Sequence, residues 1–149
     1  LTKVSGIKGF TARAIRYEGE EGYGTRVERA GQEWHSAPDG SCEWLGETSS
    51  DEMTGHFFGF SLYYDFCAND EEKALIREVI CDIVDHIIDH DYKLCDIDGL
   101  PTTWAMWNPD ELNRNSMWLW EKCINSLEML TFLNVAYHVS GDEKYRKEY

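Results

Sequence analysis

Residues 48–68 read TSSDEMTGHFFGFSLYYDFCA, and the rest of the chain is organised around this stretch. Ser49 precedes Glu52 by three residues, which is the spacing of a helix capping box, so a helix is expected to begin here. One core face recurs at helical spacing and consists of Met53, Phe57, Phe60, Tyr64 and Cys67. Because the helix is apolar on nearly every side, the sequence predicts that it is buried.

The first turn of this helix carries the candidate chemistry. Asp51 and Glu52 are adjacent carboxylates that can serve as general acid and base, or as acid and nucleophile, in glycoside cleavage. The alternative is that both only cap the helix, where each gains about 0.3–1 kcal/mol from the helix dipole. His56 follows one turn after Glu52 and either binds substrate or tunes that carboxyl, unless it is a core histidine bonded to the same carboxylate.

Composition limits the partners and the class of protein. The 149 residues suffice for one ordinary domain, and the aromatic content of 13% is unlike that of disordered chains. A net charge of −14 argues against nucleic acid and against anionic membrane surfaces as partners. No apolar run approaches the length of a membrane span, so we expect no membrane insertion.

No motif predicts a metal or a cofactor. The five cysteines form no CxxC pair and are expected to be buried free thiols. His86 and His90 have a spacing that can hold a metal, but a solvated helix face is the favoured interpretation. The segment Asp96-Ile97-Asp98-Gly99 hints at a calcium loop but does not fit the EF-hand template. Phosphate-loop and dinucleotide-binding motifs are missing from the sequence.

The remaining segments divide into a glycine-rich beginning and a helical body. Residues 1–47 have little periodicity and are predicted to form a long loop with short strands around 11–17, or else a disordered or linking segment. The body, residues 48–149, is predicted to contain helical hairpins and one β-hairpin at about 93–104, with Asp98-Gly99 as its turn. The further helices are expected at about 69–91, at 126–139 and from Asp142, with a polar loop at 108–115.

The chain contains a weak internal repeat, which we call the internal echo. Ser50-Asp51-Glu52-Met53 corresponds to Ser126-Leu127-Glu128-Met129, and each begins a buried helix that is followed by a tight turn and an acidic helix start. These features, with SLEMLTFLNVAYHVSGDEKYRKEY at residues 126–149, resemble the (α/α) toroid proteins of the six-hairpin glycosidase-like superfamily.

The resemblance implies a mainly α protein built from antiparallel helical hairpins of the toroid type. It implies that residues 1–149 are a single domain or about two hairpins of a larger toroid, whose remainder would be a partner. It also implies long loops that build a carbohydrate-binding cleft, and a periplasmic or extracellular location.

Aromatic residues and one arginine complete the predicted site. Flat rings in loops suit stacking on sugar rings, although core packing is the alternative for each of them. Arg13 can bind an acidic sugar as a bidentate carboxylate partner, unless it is an ordinary surface arginine. The predicted substrate-binding residues are Arg13, Trp34, Trp44, Tyr63, Trp104 and Trp107.

The sequence therefore favours a carbohydrate-active protein, glycoside hydrolase-like or a lyase, that acts on an oligosaccharide or polysaccharide. Its predicted catalytic residues are Glu52, Asp51 and His56. The alternative is a non-catalytic helical-repeat scaffold or carbohydrate-binding module.

Overall fold

The computed structural model describes residues 1–25, 27–29 and 32–149. The described chain is 50% helix and 13% strand, with five helices and two small antiparallel sheets. The predicted fold class is wrong, because this is a small α/β domain and not a mainly α protein of toroid repeats. The error lies in residues 1–47, whose predicted long loop contains a sheet.

The first sheet has four antiparallel strands in the order β1-β4-β3-β2. Its strands are β1 (Ala14–Arg16), β2 (Val27–Arg29), β3 (Gln32–Ser36) and β4 (Glu43–Leu45). Strands of three to five residues are too short to show a clear alternation of apolar and polar residues in the sequence. Glycines between them supported the loop interpretation, since glycine is depleted in strands.

The sheet is held by buried aromatic rings. Trp44 is fully buried and lies opposite His35 across the pair of β3 and β4. The guanidinium of Arg16 stacks over the Trp34 ring at 3.9 Å from its centroid, and its Nε lies 2.7 Å from a carboxylate oxygen of Glu43. Buried cation–π and ion-pair contacts of this kind fix the register of so small a sheet.

The helical part follows the sheet along the chain. It contains α1 (Ser50–Phe66), α2 (Asp70–Asp89), the hairpin strands β5 (Lys93–Cys95) and β6 (Pro101–Met106), α3 (Pro109–Arg114), a short 3₁₀ helix (Ser116–Trp118), α4 (Lys122–Ser140) and α5 (Glu143–Glu148). Helix α4 packs against α1, α2 and α5. The described helices include none that is long and apolar enough to cross a membrane.

Helix α1 is buried on one side only, so the prediction of a fully buried helix is wrong. Met53 and Phe57 lie in the core and Phe60 and Tyr64 pack against it, as the spacing predicts, but Cys67 is exposed. Phe58 and Phe66 are 67% and 79% exposed, because α2 and α4 cover only the opposite side of α1.

The predicted loop at residues 108–115 contains a helix, α3 (Pro109–Arg114). Asn108 caps α3 by accepting from the backbone N–H of Glu111, and Pro109 occupies the first turn. Both are ordinary signals for the start of a helix, and assigning the segment to a loop because its residues are polar overlooks them. Helix α4 also begins at Lys122, four residues before the predicted start at Ser126.

Two buried threonines fix the beginning of α1. The Thr48 hydroxyl donates to the carbonyl of Thr11 at 2.6 Å, and the Thr102 hydroxyl donates to the carbonyl of Thr48 at 2.9 Å. The residue before the helix cap is therefore bonded both to the segment that precedes β1 and to strand β6. This places the N-terminal end of α1 at the junction of the sheet and the hairpin.

The first ten residues lie against α2, where Gly9 makes a close approach. A Cβ atom at Gly9 would lie 2.1 Å from the carbonyl oxygen of Asp82 and 2.6 Å from the Cβ of His86. Gly9 also has φ of 79°, which only glycine adopts without strain. Phe10 then reaches Trp44, with the two ring centroids 5.8 Å apart. The contact at Gly9 thus brings the sheet and α2 together.

Replacing Gly9 by alanine should destabilise the protein much more than replacing Gly19. Gly19 has φ of 92° but no atom within 4 Å of a Cβ position, so Gly19→Ala adds only backbone strain of about 1–2 kcal/mol. Gly9→Ala adds overpacking against α2 and should cost about 1–3 kcal/mol more. Urea unfolding of both variants measures the difference, and equal losses would contradict the close approach.

Candidate functional site

A cleft of about 370 Å³ opens beside the N-terminal end of α1. Its walls come from the residue before β1, from the start of α1, from strand β6, and from α4 with the segment that leads into it. Its charged and aromatic lining consists of Arg13, Asp51, Trp104, Trp118, Glu121 and Glu128. Three residues of the predicted site, Arg13, Asp51 and Trp104, therefore meet in one cavity.

Both carboxylates of the first turn contact the helix cap. One oxygen of Glu52 accepts from the backbone N–H of Ser49 at 2.8 Å, which is the capping-box bond that the sequence predicts. The Ser49 hydroxyl lies between the two side chains and contacts a carboxylate oxygen of Asp51 and one of Glu52. The side chain of Glu52 is thereby committed to the cap, whereas Asp51 remains exposed to the cleft.

Arg13 connects the cap to the sheet. Its Nε lies 3.1 Å from the second oxygen of Glu52, and its Nη1 donates to the carbonyl of Glu47 at 3.1 Å. The hydrogen bond from Ser49, assisted by the nearby Arg13 charge, lowers the pKa of Asp51 below its usual value. Asp51 is accordingly ionised at neutral pH.

A second carboxylate of the cleft, Glu128 on α4, is 8% exposed. Its two oxygens accept from different elements: Oε2 from the indole N–H of Trp107 at 3.0 Å, and Oε1 from the Thr54 hydroxyl at 3.2 Å. One turn earlier on α4, Asn125 donates to the carbonyl of Met106 at 2.9 Å. The start of α4 is thus bound to the end of the hairpin and to α1 by polar contacts.

One aromatic ring offers an open face to the cleft. Trp104 lies on β6 and is 59% exposed, which is unusual for so large an apolar side chain. Trp118 also lines the cleft but is nearly buried beside Met106 and Leu112. The cleft therefore combines an accessible indole with ionised and buried carboxylates.

The structure places His56 and Tyr63 away from the lining of this cleft. The His56 ring stacks on Phe60 with 5.9 Å between ring centroids. Burial lowers the pKa of His56, and the nearby Glu52 carboxylate opposes that shift only in part. Tyr63 lies towards the other end of α1, where its hydroxyl donates to Glu72 at 3.0 Å.

Three of the predicted tryptophans belong to the core. Trp34 and Trp44 lie inside the sheet, and Trp107 is buried against Phe132 with 5.5 Å between ring centroids. None of the three presents an open ring face for stacking. Trp107 contributes to the cleft through its N–H group, which holds Glu128.

Sequence reasoning left Glu128, Glu121 and Trp118 out of the site. The internal echo carried a usable signal, because it aligns Glu128 with Glu52. Helices α1 and α4 pack against each other, and Glu128 contacts Thr54, which lies two residues after Glu52 on α1. In the described part of the chain, no group of three or more histidine, cysteine or acidic side chains is arranged to hold a metal ion.

Comparisons with models of protein families, with curated proteins and with solved structures found no match for this chain. The function must therefore be argued from the site itself.

Acidification should destabilise the wild-type protein more than a His56→Gln variant. Because the pKa of His56 is lower in the folded protein than its ordinary value of 6.5, the unfolded chain binds the proton first as the pH falls. The stabilising contribution is complete above pH 6.5 and is lost as the pH drops through the folded pKa. Urea midpoints between about pH 7 and pH 5 measure this difference. Identical pH dependence in the two proteins would contradict it.

Proposed function

We propose that the cleft binds an oligosaccharide and that the chain acts on it as a glycoside hydrolase-like enzyme. The observation that carries this proposal is the exposed Trp104 ring beside the carboxylates of Asp51 and Glu128 in one cavity. Sugar rings present apolar C–H faces that stack on indole, and their hydroxyls donate to carboxylates. No other predicted tryptophan combines an open face with charged neighbours.

Under this proposal the two carboxyl groups of the cleft divide the roles of acid and base between them. In that reaction one carboxyl protonates the leaving oxygen, and the other acts as a base or a nucleophile. Asp51 is held ionised by the Ser49 hydrogen bond and Arg13, which suits the base or nucleophile. Glu128 is then assigned the role of the acid: its oxygens accept from Trp107 and Thr54, so it must take up a proton before it can give one to the leaving oxygen.

This assignment changes the roles of the residues predicted from the sequence. Glu52 is occupied by the cap and by Arg13, so it positions the first turn of α1 and does not contact the sugar. His56 lies one turn below and supports the same end of the helix. Asp51 alone remains from the predicted catalytic set.

The second candidate function is carbohydrate binding without catalysis. It is favoured by the contact between Asp51 and the Ser49 hydroxyl, because a carboxylate that serves the helix cap is less free to react. In this case the carboxylates only accept hydrogen bonds from sugar hydroxyls. The two candidates differ in whether a bound sugar is cleaved.

Replacing Trp104 by alanine should weaken oligosaccharide binding by about tenfold or more, the equivalent of about 1.4 kcal/mol. The probes are cellohexaose, xylohexaose, the hexamer of N-acetylglucosamine and the hexamer of glucosamine, each titrated by calorimetry. Trp120→Ala is the matched control, because Trp120 is 89% exposed and does not line the cleft. Binding of no hexamer, or equal affinity of the two variants, would contradict the proposal.

A Glu128→Gln variant then separates the two candidate functions. Gln keeps an acceptor for Trp107 but cannot supply a proton. Retained binding together with lost release of reducing ends supports the hydrolase. A bound hexamer that even the wild-type protein leaves intact supports the binding module.

A further inference from the structure

The cleft is lined by more acidic than basic side chains. Three of its lining residues are carboxylates, namely Asp51, Glu121 and Glu128, and its one lining cation is Arg13. A ligand that enters the cleft therefore meets an excess of negative charge. The size of that excess depends on the contacts that these residues make within the protein.

The charge of Arg13 is shared with a carboxylate outside the lining of the cleft. Its Nε is paired with Glu52 at 3.1 Å, and Glu52 is a fourth carboxylate that does not itself line the cleft. Its Nη1 donates to the carbonyl of Glu47. Two of the five N–H donors of the guanidinium are thus committed, and its positive charge is matched by the negative charge of Glu52.

One of the other carboxylates, Glu128, is held in place, and another, Glu121, is free to bind a ligand. Glu128 is held by Trp107 and Thr54 and cannot swing away from an approaching ligand. Glu121 is exposed on the approach to α4, and its side chain makes no hydrogen bond or ion pair with the residues that the structure describes. The whole chain, with a net charge of −14, adds an attraction for cations over a longer range.

We propose that the cleft selects a sugar that bears a protonated amine, a hexosamine with a free amino group, over neutral and acidic sugars. This inference rests on the proposed function, because it presumes that the ligand of the cleft is a sugar. An ammonium group supplies three donors and a positive charge to carboxylates that can only accept. A uronic acid instead brings a like charge towards Asp51, Glu121 and Glu128, which is unfavourable at short range.

The test compares how tightly three hexamers of equal length bind to the intact protein. They are the cationic hexamer of glucosamine, the neutral hexamer of N-acetylglucosamine and the anionic hexamer of galacturonic acid. The glucosamine hexamer is cationic at about pH 6, because this pH lies below the pKa of a typical amino group. Calorimetric titration in low salt should give the glucosamine hexamer at least about tenfold tighter binding than the neutral one, with the galacturonate hexamer weakest.

Matched variants distinguish the cleft from the general attraction of an acidic protein. Glu121→Gln should reduce the preference for the cationic hexamer severalfold, whereas Glu18→Gln, which removes the same charge from an exposed turn, should leave it unchanged. Trp104→Ala should weaken both the cationic and the neutral hexamer. Together these results would place the recognition of the amine beside the Trp104 ring.

Each contrary result has its own meaning. Equal or tighter binding of the galacturonate hexamer would overturn the charge selection while leaving carbohydrate binding intact. Binding of the glucosamine hexamer that responds equally to Glu121→Gln and Glu18→Gln, and not to Trp104→Ala, would show non-specific attraction and overturn the inference. Binding of none of the hexamers would refute the proposed function, and the inference with it.

Discussion

The cleft depends on one buried polar group, the carboxyl of Glu128. Helix α4 supplies it, Trp107 at the end of the hairpin donates to one oxygen, and Thr54 on α1 donates to the other. A polar group at 8% exposure is costly unless its oxygens are hydrogen-bonded, so these contacts join the three elements to one another. The contact that stabilises the junction also fixes the shape of the cleft.

The chemistry of the cleft follows from this arrangement. The first turn of α1 is held by its cap and by Arg13. Thr48, just before the cap, donates a hydrogen bond to Thr11 and accepts one from Thr102. These contacts fix the position of Asp51. Strand β6 presents Trp104 on the neighbouring wall. An exposed indole face beside carboxylate acceptors supports the proposed binding of a sugar ring through both its apolar face and its hydroxyls.

The sequence predicted the local features of this fold much better than its class. The capping box at Ser49, the core positions Met53 and Phe57 and the turn at Asp98-Gly99 are short-range signals, and all are present. Of the four-stranded sheet, only β1 lies where short strands were predicted; β2, β3 and β4 were missed because they are short, and β1 and β3 pair with β4 across many residues. Of the candidate site, the sequence named Asp51, Arg13 and Trp104, which meet in the cleft. Glu128 comes from a distant helix, and only its alignment with Glu52 in the sequence pointed to it.

The most direct test of this account is a double-mutant cycle on Trp107 and Glu128, measured by urea unfolding. Glu128→Leu leaves the Trp107 N–H buried without an acceptor, and Trp107→Phe removes a donor from the carboxylate, so each single variant should be clearly destabilised. The double variant replaces both partners with apolar groups. It should be more stable than the sum of the single losses by about 1 kcal/mol or more. Additive losses would show that the two residues are not coupled, and would contradict the role of Glu128 as the contact on which the cleft depends.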